Sequence, residues 1–423
     1  MKSLPPPVPG RLAWALLLIS VLLAALGCGW HPLKAVDLHV YYAAARSFFY
    51  HSGPMYGPND VFGWPMLYRY PPLFLYLFRP FALLPLSAVP GLWAGLKVLL
   101  LGPLLWLWYR RFPPTRLVPA ISFSALLLLP YFVHELRSGN VQFLLVELVC
   151  YALLLCDEHP IVSSLLLGLA AAIKVWPLFV LPYLVLRGRW RIGIQASLAT
   201  ALFTIAPALW LGWKTTFHLL AQWFVQEQRI NALLGDRWYP SQSLRGVMLR
   251  YFTSMNYSDL PDSNYRLVNF VSLPSWEVRQ FWLLLAVLLV LFSLVCVYRC
   301  ADDAAAYAIF FCFLLMIEPN VHRSIYATLL WPALFAGIIM TDPRASPSKR
   351  WILLAAAALA VLVPLVPGSA FQRLAQVLGF DFLAVLLPLT LVVVTYAARR
   401  FSPASGTPAG GQQVASSGVA QSG

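Results

Sequence analysis

Asp37 opens a short segment, Val36-Asp37-Leu38-His39-Val40-Tyr41-Tyr42-Ala43-Ala44-Ala45-Arg46, that reads as an amphipathic helix ending at Gly53-Pro54. Tyr41 lies four residues on and so shares a helix face with Asp37, while Tyr42 and Arg46 form a second such pair. An aspartate here can cap the helix N-terminus, or it can act as a general base that takes a proton from a hydroxyl. The residues leave both readings open. Next come Tyr56-Gly57-Pro58 and Tyr68-Arg69-Tyr70-Pro71-Pro72, whose rings suit either a headgroup-level anchor or a surface for stacking a sugar. In His134-Glu135-Leu136-Arg137-Ser138-Gly139-Asn140-Val141-Gln142, Gly139 and Asn140 make a tight turn. That turn sends the Asn140 and Gln142 amides into the start of a helix. Lys174, in Lys174-Val175-Trp176-Pro177, adds a cation; Gln242-Ser243-Leu244-Arg245 and Glu318-Pro319-Asn320-Val321-His322-Arg323 add further polar groups. Each reads singly as an ordinary loop. Taken together, several cations and amides beside one carboxylate suit an anionic ligand.

The elements that must position these groups are membrane helices. The chain has 423 residues, 60% hydrophobic and only 11% charged, against about 25% charged in soluble domains; its mean hydropathy is +0.72. Apolar runs such as Leu12 to Trp30, Ile192 to Trp213, Phe281 to Tyr298 and Phe382 to Ala398 reach the roughly 17–25 residues a transmembrane helix needs. They are continuously apolar rather than alternating, so helices and not a barrel satisfy their backbone groups. The expected fold is an all-α, polytopic bundle of about 12 helices, some short: 11–30, 91–109, 117–133, 140–156, 161–173, 175–187, 191–212, 279–298, 303–318, 324–340, 351–367 and 381–398. The net charge of +14 comes from arginines in short loops beside apolar runs, so topology explains it better than nucleic acid does. The six cysteines form neither a disulfide framework nor a Cys-x-x-Cys site and read as small buried hydrophobes.

Charge parity fixes the path through 161–187. Read as two short helices meeting near Lys174, this segment puts Arg110, Arg111 and Arg116, then Arg187, Arg189 and Arg191, then Arg344, Lys349 and Arg350, then Arg399 and Arg400 on one side. Read as one helix, it abolishes the bias. The positive-inside rule therefore favours two and carries Lys174 to the opposite side, recessed, where a lysine is costly unless it lines a wet cavity. The expected organisation is one transmembrane domain, 1–401, with both termini cytoplasmic. Residues 31–90 and 213–278 form long extracytoplasmic loops, and the Gly-, Ser- and Ala-rich 402–423 forms a disordered cytoplasmic tail. Leu73 to Leu84, bounded by prolines, is too short to span and reads as interfacial or re-entrant.

No Gly-rich phosphate loop, outside Asp-x-Asp or His/Cys cluster occurs, so no metal and no cofactor are expected. A transporter or lipid flippase is the competing class, because an intramembrane lysine and broken helices suit both. Against it, no internal repeat relates the two halves, and the polar groups are one-sided.

The ordered series of motifs resembles the integral-membrane GT-C glycosyltransferases, and more narrowly the polyprenyl-phosphate-mannose-dependent mannosyltransferases of glycosyltransferase family 87. The carrying features are Asp37 to Ala45, Tyr56-Gly57-Pro58, Tyr70-Pro71-Pro72 with Pro80 and Pro85, Gly139-Asn140-Val141-Gln142, Ile173-Lys174-Val175-Trp176-Pro177 followed by Arg189-Trp190-Arg191, Gln242-Ser243-Leu244, and Glu318-Pro319 with His322. They run in order over roughly residues 30 to 340. The family's usual Gly-Gln-x-Asn stands here as Gly-Asn-Val-Gln, with the polar pair exchanged. The resemblance implies a polyprenyl-phosphate sugar donor, an inverting transfer, a lipid or glycan acceptor on the extracytoplasmic side, and Asp37 as catalytic base. Lys174, Arg245, Arg137 and His322 would then face the donor phosphate. Gln242, Asn140, Gln142, Tyr42, Arg46 and Tyr70 complete the candidate substrate-binding set. Mannose is the expected sugar, with arabinose or glucose as alternatives.

Overall fold

The computed structural model describes residues 35–57, 67–111, 114–234, 241–254, 267–366 and 368–398. The expected first helix, 11–30, and the tail, 402–423, lie outside them. The elements are helical. They run α1 Val36–Tyr50, α2 Pro72–Ala82, α3 Val89–Arg111, α4 Pro114–Ser138, α5 Gln142–Leu155, α6 Pro160–Ile173, α7 Val180–Leu186, α8 Trp190–Ile205, α9 Ala208–Leu211, α10 Trp213–Leu234, α11 Leu244–Phe252, α12 Ser275–Arg299, α13 Asp303–Ile317, α14 Leu330–Thr341, α15 Pro347–Leu365, α16 Ser369–Val377 and α17 Leu387–Ala397. Short 3-10 turns at Trp176–Phe179 and Arg323–Leu329 lead into α7 and α14, and a π-helical turn at Asp381–Leu386 leads into α17.

Of the roughly 12 membrane helices expected, some of them short, the described residues hold all but the first. Among the described residues six helices are long and apolar enough to cross a bilayer, or seven if Ala370–Val377 and Asp381–Ala397, bent by 61°, count as one span. Four further apolar helices, Gln142–Leu155, Pro160–Ile173, Trp176–Leu186 and Asp303–Ile317, are too short. A 14-residue helix rises about 21 Å, less than the hydrocarbon core of about 30 Å. The short α5 and α13 are tolerated because protein surrounds them: nearly every residue of each is buried. With α14 they form the centre of the bundle, whereas α12 turns most of its leucines and phenylalanines outward, as a lipid-facing helix must.

Small residues bring the backbones together. On α6, a Cβ at Gly168 would stand 2.5 Å from the Ala199 Cβ of α8. On α14, a Cβ at Gly337 would stand 2.4 Å from the Ala120 carbonyl oxygen of α4. Both contacts are closer than any side chain allows.

The segment 160–186 is a hairpin. α6 ends at Lys174, whose backbone is extended (φ −148°, ψ 139°), and the chain turns back through Trp176–Phe179. The returning end places Arg189 on Asp157, ahead of α6, at 2.8 Å. Arg111, at the end of α3, reaches the same Asp157. Arg187 and Arg189 both bind Asp303 at the start of α13, at 2.6 and 2.7 Å. Arg111, Arg187 and Arg189 therefore share one end of the bundle, and Lys174 lies at the other.

Candidate active site

The polar end opposite those arginines is built around a turn. α4 stops at Ser138 and α5 starts at Gln142, with Gly139 between them at φ +71°. That backbone is one glycine adopts freely, and a Cβ here would also stand 2.6 Å from the Cβ of Leu38. The bare glycine lets α1 lie directly against the turn. Asn140 then meets Asp37: its Nδ2 donates to Asp37 Oδ2 at 2.9 Å, while its Oδ1 accepts from the Gln142 backbone N–H at 2.9 Å. Asp37 does not cap α1, whose N-cap is Ala35 with no side-chain cap hydrogen bond. Its half-buried carboxyl is turned to the Asn140 amide instead. Burial raises its pKa above the ordinary aspartate value, against the opposing pull of the Asn140 hydrogen bond, Lys174, Lys97 and Ser138.

Lys174 faces the same space. Its Nζ donates to Gln142 Oε1 at 3.0 Å, and Gln142 Nε2 donates to Thr328 Oγ1 at 2.8 Å. The two amides expected at the head of α5 thus divide the work: Asn140 holds the carboxylate and Gln142 holds the cation. Glu318 lies within the field of Lys174, which partly offsets the upward effect of burial on its carboxyl. His322 is held down to about 3 by burial and by the positive charges of Lys174, His134 and Arg69. Its ring is therefore neutral at physiological pH.

An aromatic wall closes the other side. Tyr41 is buried, with its hydroxyl 3.0 Å from that of Tyr70, and its ring meets Tyr70 and Phe74 edge-on. Tyr56 donates to the Tyr70 carbonyl at 2.9 Å. This wall is fastened by α10, inside the stretch expected as a long loop. Arg69 pairs with Glu227 through two nitrogens of its guanidinium, Nε to Oε1 at 3.0 Å and Nη2 to Oε2 at 2.8 Å. Trp223 Nε1 donates to the Arg69 carbonyl, and Gln226 bridges Gly57 and Tyr68.

The other candidates lie differently. Tyr42 donates to the Leu84 carbonyl at 2.8 Å, and Arg46 reaches the Ala82 carbonyl and lies over the Tyr50 ring. Both face the end of α2. Gln242 is fully buried and braces the chain: its backbone and side chain bond Val321, Gln376, Asp381 and Tyr326. Arg245 lies 5.4 Å over the Trp282 ring of α12. Arg137 is exposed at the end of α4. Among the described residues no group of three or more His, Cys, Asp and Glu could hold a metal ion.

Sequence reasoning missed Lys97 and Glu135. Both are fully buried, and Lys97 Nζ bonds the two Glu135 carboxyl oxygens at 2.8 and 3.1 Å. A lysine inside the apolar run of α3 was the available signal, since such a charge demands a partner.

Comparison with known proteins bears on this geometry. The family model for glycosyltransferase family 87 matches residues 68–319. A curated relative from Mycobacterium tuberculosis (strain ATCC 25618 / H37Rv), the polyprenol-phosphate-mannose-dependent alpha-(1-2)-phosphatidylinositol mannoside mannosyltransferase, is 28% identical over 264 residues. That match takes in 57% of this chain and 60% of the relative, so this chain spans less than two thirds of the relative's length.

Proposed function

The chain belongs to glycosyltransferase family 87, and from that we propose that it is an inverting transferase moving mannose from a polyprenyl-phosphate donor to a lipid- or glycan-linked acceptor. The family membership sets aside the transporter reading. The relative's name supports mannose as the sugar and makes a phosphatidylinositol mannoside the first acceptor to try. The observation that carries the mechanism is the pairing of Asp37 with Asn140 at 2.9 Å, in a space that Lys174 also faces.

In this reading the acceptor hydroxyl lies against Asp37 and attacks the anomeric carbon from the side opposite the phosphate. Asp37 takes the hydroxyl proton as the new carbon–oxygen bond forms. The bond from carbon to phosphate oxygen breaks, and the polyprenyl phosphate leaves with the electron pair. A single displacement inverts the anomeric centre and needs no second carboxylate as nucleophile, unlike a retaining glycosidase. Lys174, held by Gln142 at 3.0 Å, supplies positive charge where the leaving phosphate gains negative charge. Neutral His322 contributes a hydrogen bond there. The lipid tail stays in hydrocarbon, which fits a site at one end of a membrane bundle of GT-C type. The arginine-rich end then faces the cytoplasm.

Asp37→Asn tests the assignment. It keeps the shape and removes the base, so turnover with polyprenyl-phosphate-mannose and a phosphatidylinositol mannoside acceptor should fall by roughly 10²–10⁴. Near-normal turnover in the purified variant would overturn it.

A further inference from the structure

Lys97 and Glu135 lie in membrane-spanning helices, α3 and α4, each with a wholly buried side chain. Such a pair is a poor device for stability. The desolvation of two charges offsets their attraction, and well-packed apolar replacements are often as stable or more so. The hydrogen bonds show where the pair is directed. An ammonium has three N–H donors, and here three acceptors meet it: both Glu135 carboxyl oxygens and the backbone carbonyl of Asn140. Glu135 Oε1 also accepts the Phe143 N–H at 3.1 Å. One turn earlier on α3, Trp93 Nε1 donates to the Gly139 carbonyl at 3.0 Å. Two consecutive carbonyls of the Gly139–Asn140 turn are thus gripped from α3, and the first N–H of α5 beyond Gln142 is gripped from α4. Glu147, buried on α5 and facing the same charges, makes no hydrogen bond through either carboxyl oxygen. It does not compete for Lys97.

We propose that the Lys97–Glu135 pair is a positioning device for the reaction: it locks the Gly139–Asn140 turn so that the Asn140 amide holds the Asp37 carboxylate. The inference rests on the reading of Asp37 as base. Every hydrogen-bonding group of Asn140 that faces this network has a fixed assignment. The carbonyl takes Lys97, the side-chain oxygen takes the Gln142 N–H, and the side-chain nitrogen gives to Asp37. Rotating the turn would break all three at once and would loosen Gln142, which holds Lys174. Lys97 and Glu135 touch no substrate in this arrangement and act through Asn140.

The test replaces the whole pair in the full-length protein with Lys97→Met/Glu135→Leu, so that neither member of the pair is left buried without its partner. The expected result is a monodisperse protein whose kcat falls about tenfold or more, the scale of one lost hydrogen bond to a charged group, with a smaller change in donor KM. The acidic limb of its pH–rate profile should also move to higher pH. Lys97, Lys174 and the Asn140 and Ser138 hydrogen bonds favour ionised Asp37, while Glu135, Tyr41 and Tyr70 face it without favouring charge. Removing the Asn140 contact therefore raises its pKa. In an Asn140→Ala background the pair replacement should cost little more, because the coupling runs through that residue. A folded double variant with normal kcat and an unmoved limb overturns the proposal, as do losses that simply add to those of Asn140→Ala. If the double variant does not fold, Trp93→Phe carries the test. It takes the indole N–H, together with part of the ring, away from the Gly139 carbonyl, and it should lower kcat and shift the limb in the same sense; an unchanged kcat and limb overturn the proposal. Asp37→Asn, run alongside, separates the failures. An inactive Asp37→Asn with an unaffected pair variant overturns the positioning alone, whereas an active Asp37→Asn overturns the base itself.

Discussion

In the proposed mechanism Asp37 is the base, and a base must be ionised before it can take a proton, so the field around Asp37 would set where the enzyme starts to work. Burial raises its pKa above the ordinary aspartate value, and Asn140, Lys174 and Lys97 pull against that rise. The sign follows: activity is present at high pH and is lost as pH falls through the raised pKa. The acidic limb of kcat/KM should therefore lie above the ordinary aspartate range. Lys174→Met removes one of the charges that favour the carboxylate, so it should move this limb further up. In the proposed mechanism it should also weaken donor binding about tenfold or more, as losing one charge-assisted contact does. His322 is held at about 3 and carries no charge across the assay range, so His322→Gln should leave the limb where it is. A pH series on the three proteins checks all of this, and a limb that follows His322 rather than Lys174 would contradict it. Asp37, Asn140, Gln142 and Lys174 were legible as residues, because each is a polar side chain at the mouth of an apolar helix. Their division of labour was not. Which amide meets which charge depends on how α1 and the α6–α7 hairpin lean on the turn, and no local spacing encodes that.

At the scale of elements, the packing of α1 onto the α4–α5 turn carries the geometry, and Gly139 is its hinge point. Its positive φ costs a side-chain-bearing residue about 1–2 kcal/mol, and the added Cβ would press on Leu38, the neighbour of Asp37. Gly139→Ala should therefore lower thermal stability and also reduce kcat about tenfold or more, by pushing Asp37 away from Asn140. A stability scan paired with single-turnover kinetics checks it, and a variant that loses stability alone would show that the contact is only structural. The helices themselves were readable from apolar runs. Each described segment of the expected series, from 91–109 to 381–398, contains a helix within a few residues of those bounds. The break at Lys174 was readable too, but only through charge parity over the whole chain. Some elements escaped. α10 lies in a stretch whose Lys214, His218, Gln222, Gln226 and Glu227 look like loop polarity, yet they mark one helix, and Gln226 and Glu227 on it hold the tyrosine wall. The short α5 and α13 were counted as spans, because hydropathy does not say whether lipid or protein surrounds an apolar helix.

For the whole molecule, the distribution of charge is the argument for direction. Arg111, Arg187 and Arg189 converge on Asp157 and Asp303 at one end, while Asp37, Asn140 and Lys174 converge at the other. The hairpin of α6 and α7 makes this separation possible. Were 160–186 a single crossing, Arg189 could not return to Asp157 within hydrogen-bonding distance. Short basic loops are retained on the cytoplasmic side, so the proposed catalytic end should open on the far side, where in the proposed reaction a lipid-borne sugar would meet its acceptor. This can be read with a membrane-impermeant thiol reagent on intact cells, because the described cysteines, Cys150, Cys156, Cys296, Cys300 and Cys312, are free but buried. A cysteine placed at exposed His51, beyond the end of α1, should label readily. One placed at exposed Arg191, at the start of α8, should label only after the membrane is opened. The reverse pattern would put the proposed site on the cytoplasmic face, where the donor and acceptor chemistry would have to be reconsidered. Labelling of both positions from outside would contradict the separation of the two ends.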